Sequence, residues 1–145
     1  MKKLLTLICV LFAFSLSASA YRVGDVIKVG NQFGVVFKVT TDGCHGKVVS
    51  VLHSFEDYSS ADEWWPNWDL PTNDELRLLY KLKQNNIIFR KACENWGLEW
   101  RSDYYWSSTG VAGDENRKSV VHMGDGSTGY MDKSEHHWAR FVTTF

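Results

Sequence analysis

Proline is scarce in this 145-residue chain: there are two, Pro66 and Pro71. A collagen-like or polyproline architecture is thereby excluded. An excess of one charge is missing too. Sixteen Lys and Arg stand against seventeen Asp and Glu, for a formal net charge of −1, so the basic footprint of a nucleic-acid binder is absent. There is no Gly-rich phosphate loop. Beyond the first twenty residues no hydrophobic run approaches the roughly 20 residues needed to span a bilayer. What is present is apolar and aromatic. Hydrophobic residues make up 44% of the chain and aromatics 14%, with seven Trp. A disordered chain is excluded, and the length suits one domain with a sizeable core.

The one long apolar run is N-terminal. Lys2 and Lys3 precede Leu4 to Leu16, and Ala18-Ser19-Ala20 supplies small residues for cleavage. This is the three-part layout of a secretory signal peptide over residues 1–20. The chain is expected to leave by the general secretory route, to the periplasm, the cell surface or the medium, with residues 21–145 as a single domain. Losing Lys2 and Lys3 makes that domain two units more acidic than the whole chain. Cys9 leaves with the leader, so Cys44 and Cys93 remain. An oxidising compartment permits a Cys44–Cys93 disulfide. A buried free thiol on a helix is the alternative for Cys93.

Residues 21–52 read as a β-meander. Val35–Thr40 is β-branched and aromatic, Asp42-Gly43 is a hairpin turn, and Lys47–Val51 returns. Residues 54–69 are polar and aromatic without a period and read as an ordered loop. A helix start follows. Pro71 imposes an extended approach, and Thr72 stands three residues before Glu75, the spacing of a capping box. Leu76, Leu79, Tyr80 and Leu82 then share one helical face. Gln84-Asn85-Asn86 interrupts, and a second helix is expected over about 87–96, with Ile88, Ala92 and Trp96 inward and Gly97 just past its end. The remainder reads as strands at 104–109, 119–123, 127–131 and 138–142, with a polar loop over 110–118. Strands, two helices, then strands is an α+β order, not a parallel βαβ one.

Trp68-Asp69-Leu70-Pro71-Thr72-Asn73-Asp74-Glu75-Leu76 and Tyr105-Trp106-Ser107-Ser108-Thr109 carry a resemblance. They are followed by Val120 to Gly126, with its Asp-Gly turn, and by Ala139-Arg140-Phe141-Val142. In this order they resemble the DUF1566 family, also named for the C-terminal domain of the Legionella collagen-like adhesin. The likeness covers residues 64–145, and the meander resembles the segment that precedes this domain in Bacteroidota proteins. Two positions depart from the pattern: Asn67 stands where the family often has Gly, and Thr143 where it often has a second Arg. The resemblance implies a C-type-lectin-like fold, with two helices flanking antiparallel sheets and termini close together. It also implies a role in surface recognition or adhesion.

The motif residues have structural readings of their own. Thr72 and Glu75 cap a helix, Trp68, Trp106 and Trp138 fill a core, and Ser107, Ser108 and Thr109 bond to sheet backbones. Candidates for ligand contact are the aromatics Tyr58, Trp64 and Trp65, whose faces suit sugar rings or instead cover the helices. Asp114, Glu115 and Asn116 offer oxygen donors in the 110–118 loop. Chemistry is thin. Cys44-His45 are neighbours without a third, orienting group. His136-His137 point to opposite faces if on a strand. No metal-ligand spacing is present. The chain is therefore expected to be non-enzymatic, without cofactor or metal, and to bind a glycan or a surface protein. A structural subunit of a fimbrial or envelope assembly, or a small secreted enzyme, are the rival expectations.

Overall fold

The computed structural model describes residues 20–145. The signal-peptide reading falls on residues that lie, apart from Ala20, outside the described ones. Twelve elements follow in order: β1 (Val26–Val29), β2 (Gln32–Val39), β3 (Gly46–Ser50), β4 (Ser54–Glu56), α1 (Tyr58–Asp62), α2 (Asn73–Asn85), α3 (Ile87–Asn95), β5 (Tyr104–Val111), β6 (Asp114–His122), β7 (Thr128–Asp132), β8 (His137–Ala139) and β9 (Val142–Thr144). One sheet has the order β1-β2-β3-β9 and the other β4-β8-β5-β6-β7. All pairings are antiparallel except β5 with β8. The fold is α+β, as the order of patterns implies. Among the described residues no helix is long and apolar enough to cross a membrane.

Side chains alternate across a strand, and here both alternating sets are buried. Val35, Phe37 and Val49 of the first sheet join Tyr105 and Val121 of the second in one core cluster, closed by Leu76 and Leu79 of α2 and Phe89 and Cys93 of α3. Val36 and Val48 join Trp106 and Val120 in another, closed by Tyr58 and Ala61 of α1 and by Trp68, Leu70 and Phe141. The ring of Tyr21 meets that of Phe145 at 4.8 Å, so the first and last parts of the described chain lie together.

The capping box forms: Thr72 accepts from the Glu75 N–H, and the Glu75 carboxylate accepts from the Thr72 N–H. Asn86 ends α2 and caps α3 at once, its side chain accepting from the Phe89 N–H. This one-residue junction sets the phase of α3. Phe89 and Cys93 face inward with Ala92 packed beside them as expected, whereas Ile88 is 66% and Trp96 45% exposed, which corrects the expected inward placement of those two. Residues 54–69 are not one loop but hold β4 and α1. The expected 110–118 loop is also corrected. β5 and β6 run on through it as a hairpin, with only Ala112 and Gly113 at the turn and Gly113 at φ 75°.

The expected last strand is split. β8 belongs to one sheet and β9 to the other, with Arg140 and Phe141 between them. Phe141 is fixed to Ser50: its N–H donates to the Ser50 hydroxyl, and its carbonyl accepts from the Ser50 N–H. Arg140 is fully buried. Its guanidinium donates to the carbonyls of Ser50 (3.2 Å), Val51 (2.5 Å) and Glu99, contacts His53 Nδ1 at 3.0 Å, and lies 4.9 Å from the centre of the Trp100 ring. Among the described residues no carboxylate forms an ion pair with it. Burial draws its pKa down to about 10, partly offset by Tyr105 and Cys93, so it stays a cation at neutral pH. Burial and the charges of Arg140 and Arg101 in turn hold His53 below the usual imidazole range. A neutral Nδ1 is what accepts from a guanidinium.

Replacing Arg140 leaves three carbonyls without their donor, at about 1 kcal/mol or more each. Arg140→Met is expected to lower unfolding stability by about 3 kcal/mol in urea titrations, and Arg140→Lys by less. An unchanged midpoint for Arg140→Met contradicts this role.

Candidate functional site

The two motif stretches come together in space. The Ser108 N–H donates to the Pro71 carbonyl at 2.8 Å, and the Asn73 N–H donates to Thr109 Oγ1 at 2.9 Å. Asn73 Nδ2 also donates to Ser119 Oγ. Ser107 Oγ donates to the Ser119 carbonyl at 2.8 Å and accepts from the Thr109 N–H at 3.2 Å. The end of the chain completes the frame. Asp69 and Val142 exchange both backbone hydrogen bonds at 2.9 and 2.8 Å, and Thr143 Oγ1 donates to the Asn67 carbonyl at 2.8 Å. Trp68 is buried beneath, its ring 5.8 Å from that of Trp65, which in turn meets Phe141 at 5.0 Å. Trp106 donates its indole N–H to the Glu56 carbonyl. These contacts spend the hydroxyls of Ser107 and Thr109 on backbone groups, whereas Ser108 is held through its N–H.

What this frame leaves open is a cleft of about 730 Å³. Leu70, Val142 and Val29 give it an apolar floor. The hydroxyls of Thr72, Ser108, Thr143 and Thr144 and the amide of Asn67 line its sides. Asn67 has φ 66°, a left-handed conformation that Asn adopts more readily than most residues. Its charged groups are Asp62, Asp69, Glu75 and Lys47. Lys47 Nζ lies 2.7 Å from Glu75 Oε2. Burial pushes the Glu75 carboxyl up, but the hydrogen bond from Lys47, the Thr72 N–H and the lysine charge outweigh it, and the net displacement is downward. Asp62 and Asp69 have no ion-pair partner among the described residues.

The residues singled out for ligand contact lie elsewhere. Tyr58 is on α1 and only 8% exposed, not on an exposed loop as expected. Its ring meets Trp106 at 5.6 Å and is overlaid by Lys118 Nζ at 4.9 Å and Lys133 Nζ at 5.8 Å. Burial, helped by Asp62, pushes its phenol up to about 12. Trp65 is half-buried on Trp68 and Phe141, and Trp64 is 43% exposed. Asp114, Glu115 and Asn116 start strand β6. Asp114 accepts from Arg117 Nε at 2.7 Å and from the Asn116 N–H, and these bonds hold its carboxyl below the usual range. Neither Trp64 nor Asp114 lines the cleft. Trp138, expected in the core, is half-buried at the edge of the first cluster.

The expected Cys44–Cys93 pairing is also corrected. Cys93 carries a free thiol, buried against α2 and the sheet, and burial raises its pKa to about 11. Its position on the inward face of α3 explains this, because pairing would pull it out of the core. Cys44 sits in the β2–β3 turn, its N–H donating to Asp42 Oδ1. His137 packs beneath Tyr104 and Trp106, while His136 lies out beside Phe55. No group of three His, Cys, Asp or Glu among the described residues is placed to hold a metal ion. No histidine lines the cleft, so its hydroxyls have no imidazole base beside them.

Of the cleft residues, the sequence marks Asn67 and Asp69 only as positions in or beside a motif and gives no sign of Lys47 and Asp62. Asp69 lies inside a motif and Asn67 just before it, which is the one signal that pointed there. No family model matches the chain, and no curated protein matches it either.

A carboxyl held below its unfolded value contributes stability that is complete above the unfolded value of 4.5 and is lost as pH falls through the folded one. Glu75→Gln, which keeps an acceptor for the cap but removes the charge, is therefore expected to unfold with a shallower loss of stability between pH 5 and 3 than the parent. Parallel profiles for the two proteins contradict the Lys47–Glu75 assignment.

Proposed function

We propose that the chain is an exported, non-enzymatic recognition domain of C-type-lectin-like architecture, similar to the DUF1566 family, and that it binds a glycan or a protein on a cell surface. The cleft between the first motif and the end of the chain is the observation that carries this reading. Its volume falls in the range of small-molecule sites. Carboxylates, hydroxyls and an amide around an apolar floor suit a polyhydroxylated ligand. Sugar hydroxyls donate to Asp62 and Asp69 and exchange bonds with Asn67 and Thr143, while the C–H face of the ring rests on Leu70 and Val142. Nothing in the cleft supplies a nucleophile with its base, which favours binding over turnover. The family reading is supported by two sheets with α2 and α3 together against one core cluster, by the contact of Tyr21 with Phe145, and by Asn67, whose φ of 66° suits the Gly found there in the family.

A glycan array and a binding assay on intact cells, both with the exported protein, test the proposal. A ligand is expected whose binding weakens at least ten-fold in the Asp62→Ala/Asp69→Ala variant, while the melting temperature holds, because both side chains are exposed. Absence of any ligand, or binding indifferent to the two substitutions, overturns it.

A further inference from the structure

β4 is an outermost strand of the five-stranded sheet: β8 pairs along one side and, among the described residues, no strand pairs along the other. An open edge offers backbone N–H and C=O groups to any extended segment laid beside it, and edges are commonly blunted with lysine or proline. β4 is short and reads Ser-Phe-Glu, with neither; its one charge, Glu56, alternates to the face opposite Phe55. Its central side chain is held outward, with Phe55 49% exposed and Leu52, three residues earlier, 56% exposed. Phe55 does not stand alone. Its ring meets Trp138 at 5.0 Å, Trp138 meets His53 at 4.7 Å, and the Arg101 guanidinium lies 5.3 Å from the centre of the Trp138 ring. His136 stands 6.2 Å from Phe55 on the other side. Arg101 has no ion-pair partner among the described residues, and its backbone is pinned by the bond from its N–H to the Tyr105 hydroxyl.

Exposed aromatic surface rimmed by polar groups marks an interaction site, and Arg, Trp and Phe are the side chains enriched in such sites. The charge of the rim selects the partner: a stacked guanidinium without a carboxylate of its own pairs best with an incoming one. The open edge selects its class, because the backbone of a strand is matched by another polypeptide backbone and not by a sugar chain. We infer that the β4 edge takes an extended acidic segment of another protein. The segment's backbone pairs with β4, an apolar side chain packs on Phe55 and Trp138, and a carboxylate reaches Arg101. This surface is separate from the cleft, and the inference does not rest on what the cleft binds.

The probe is a labelled, end-blocked heptapeptide Thr-Val-Thr-Glu-Thr-Val-Thr, whose Val and Glu share one face of a strand, compared by fluorescence anisotropy with its counterpart carrying Lys in place of Glu. The Val–Glu peptide is expected to bind, more weakly as salt rises, and the Val–Lys peptide to bind at least ten-fold less well. Phe55→Ala is expected to lose at least ten-fold, and Arg101→Glu to reverse the preference. Both residues are exposed, so thermal melts of the variants should match the parent. Equal binding of the two peptides, binding of neither, or indifference to both substitutions overturns the inference. Displacement of the probe by polygalacturonate at equal carboxylate concentration overturns it in favour of an acidic glycan. Self-association abolished by Phe55→Ala overturns it in favour of a second copy of the chain.

Discussion

A guanidinium cannot be taken out of water without partners, and Arg140 is fully buried while, among the described residues, no carboxylate meets it. The fold answers with backbone. Three carbonyls, an imidazole nitrogen and an indole face surround the cation. Hydrogen bonds to a charged donor are worth about 1.5–3 kcal/mol each, while the desolvation of one ion costs several. The net is near balance, so the main contribution of Arg140 is position. Ser50 and Val51 lie at the end of β3, Glu99 lies between α3 and β5, and Arg140 itself lies where the chain passes from one sheet to the other. A side chain that must reach all of these at once fixes how the two sheets meet.

The rest of the architecture follows from that junction. Because β8 ends at Ala139 and β9 begins at Val142, one short stretch of chain serves both sheets. Val142 can then pair with Asp69 as well as with Val49. That pairing brings the Trp68–Leu76 stretch against the final strand, and the hydroxyls of Thr109 and Ser119 tie the same stretch to β5 and β6 through Asn73. Residues that look reactive on paper are thus engaged in holding strands and loops together. The surface they leave free, with carboxylates and an amide over an apolar floor, is suited to recognition.

Much of this was legible in the sequence where a local signal is strong. The Thr72–Glu75 spacing specified the start of α2, because both halves of a capping box lie within one turn. The hairpin of β2 and β3 followed from a β-branched run on either side of Asp42-Gly43. Short elements escaped for a physical reason. β4 and α1, of three and five residues, are too brief to show a period and are held by tertiary contacts such as Tyr58 on Trp106. The outer half of the β5–β6 hairpin looks like a loop in sequence because its side chains are largely exposed and carry no apolar alternation. The inward face of α3 is legible only at Ala92, because the helix's phase depends on the single residue Asn86, which periodicity in apolar residues does not record.

The cleft was illegible for a different reason. Lys47, Asp62, Asp69, Ser108 and Thr143 come from separate parts of the chain and meet only in the folded arrangement of the two sheets. The buried guanidinium is therefore the claim on which the account stands, and its proton exchange is the direct measure. Arginine-selective nitrogen spectra of the folded protein should show slowly exchanging guanidinium protons for Arg140, persisting well above neutral pH, beside fast exchange for the exposed Arg22. Exchange at Arg140 as fast as at Arg22 would contradict it.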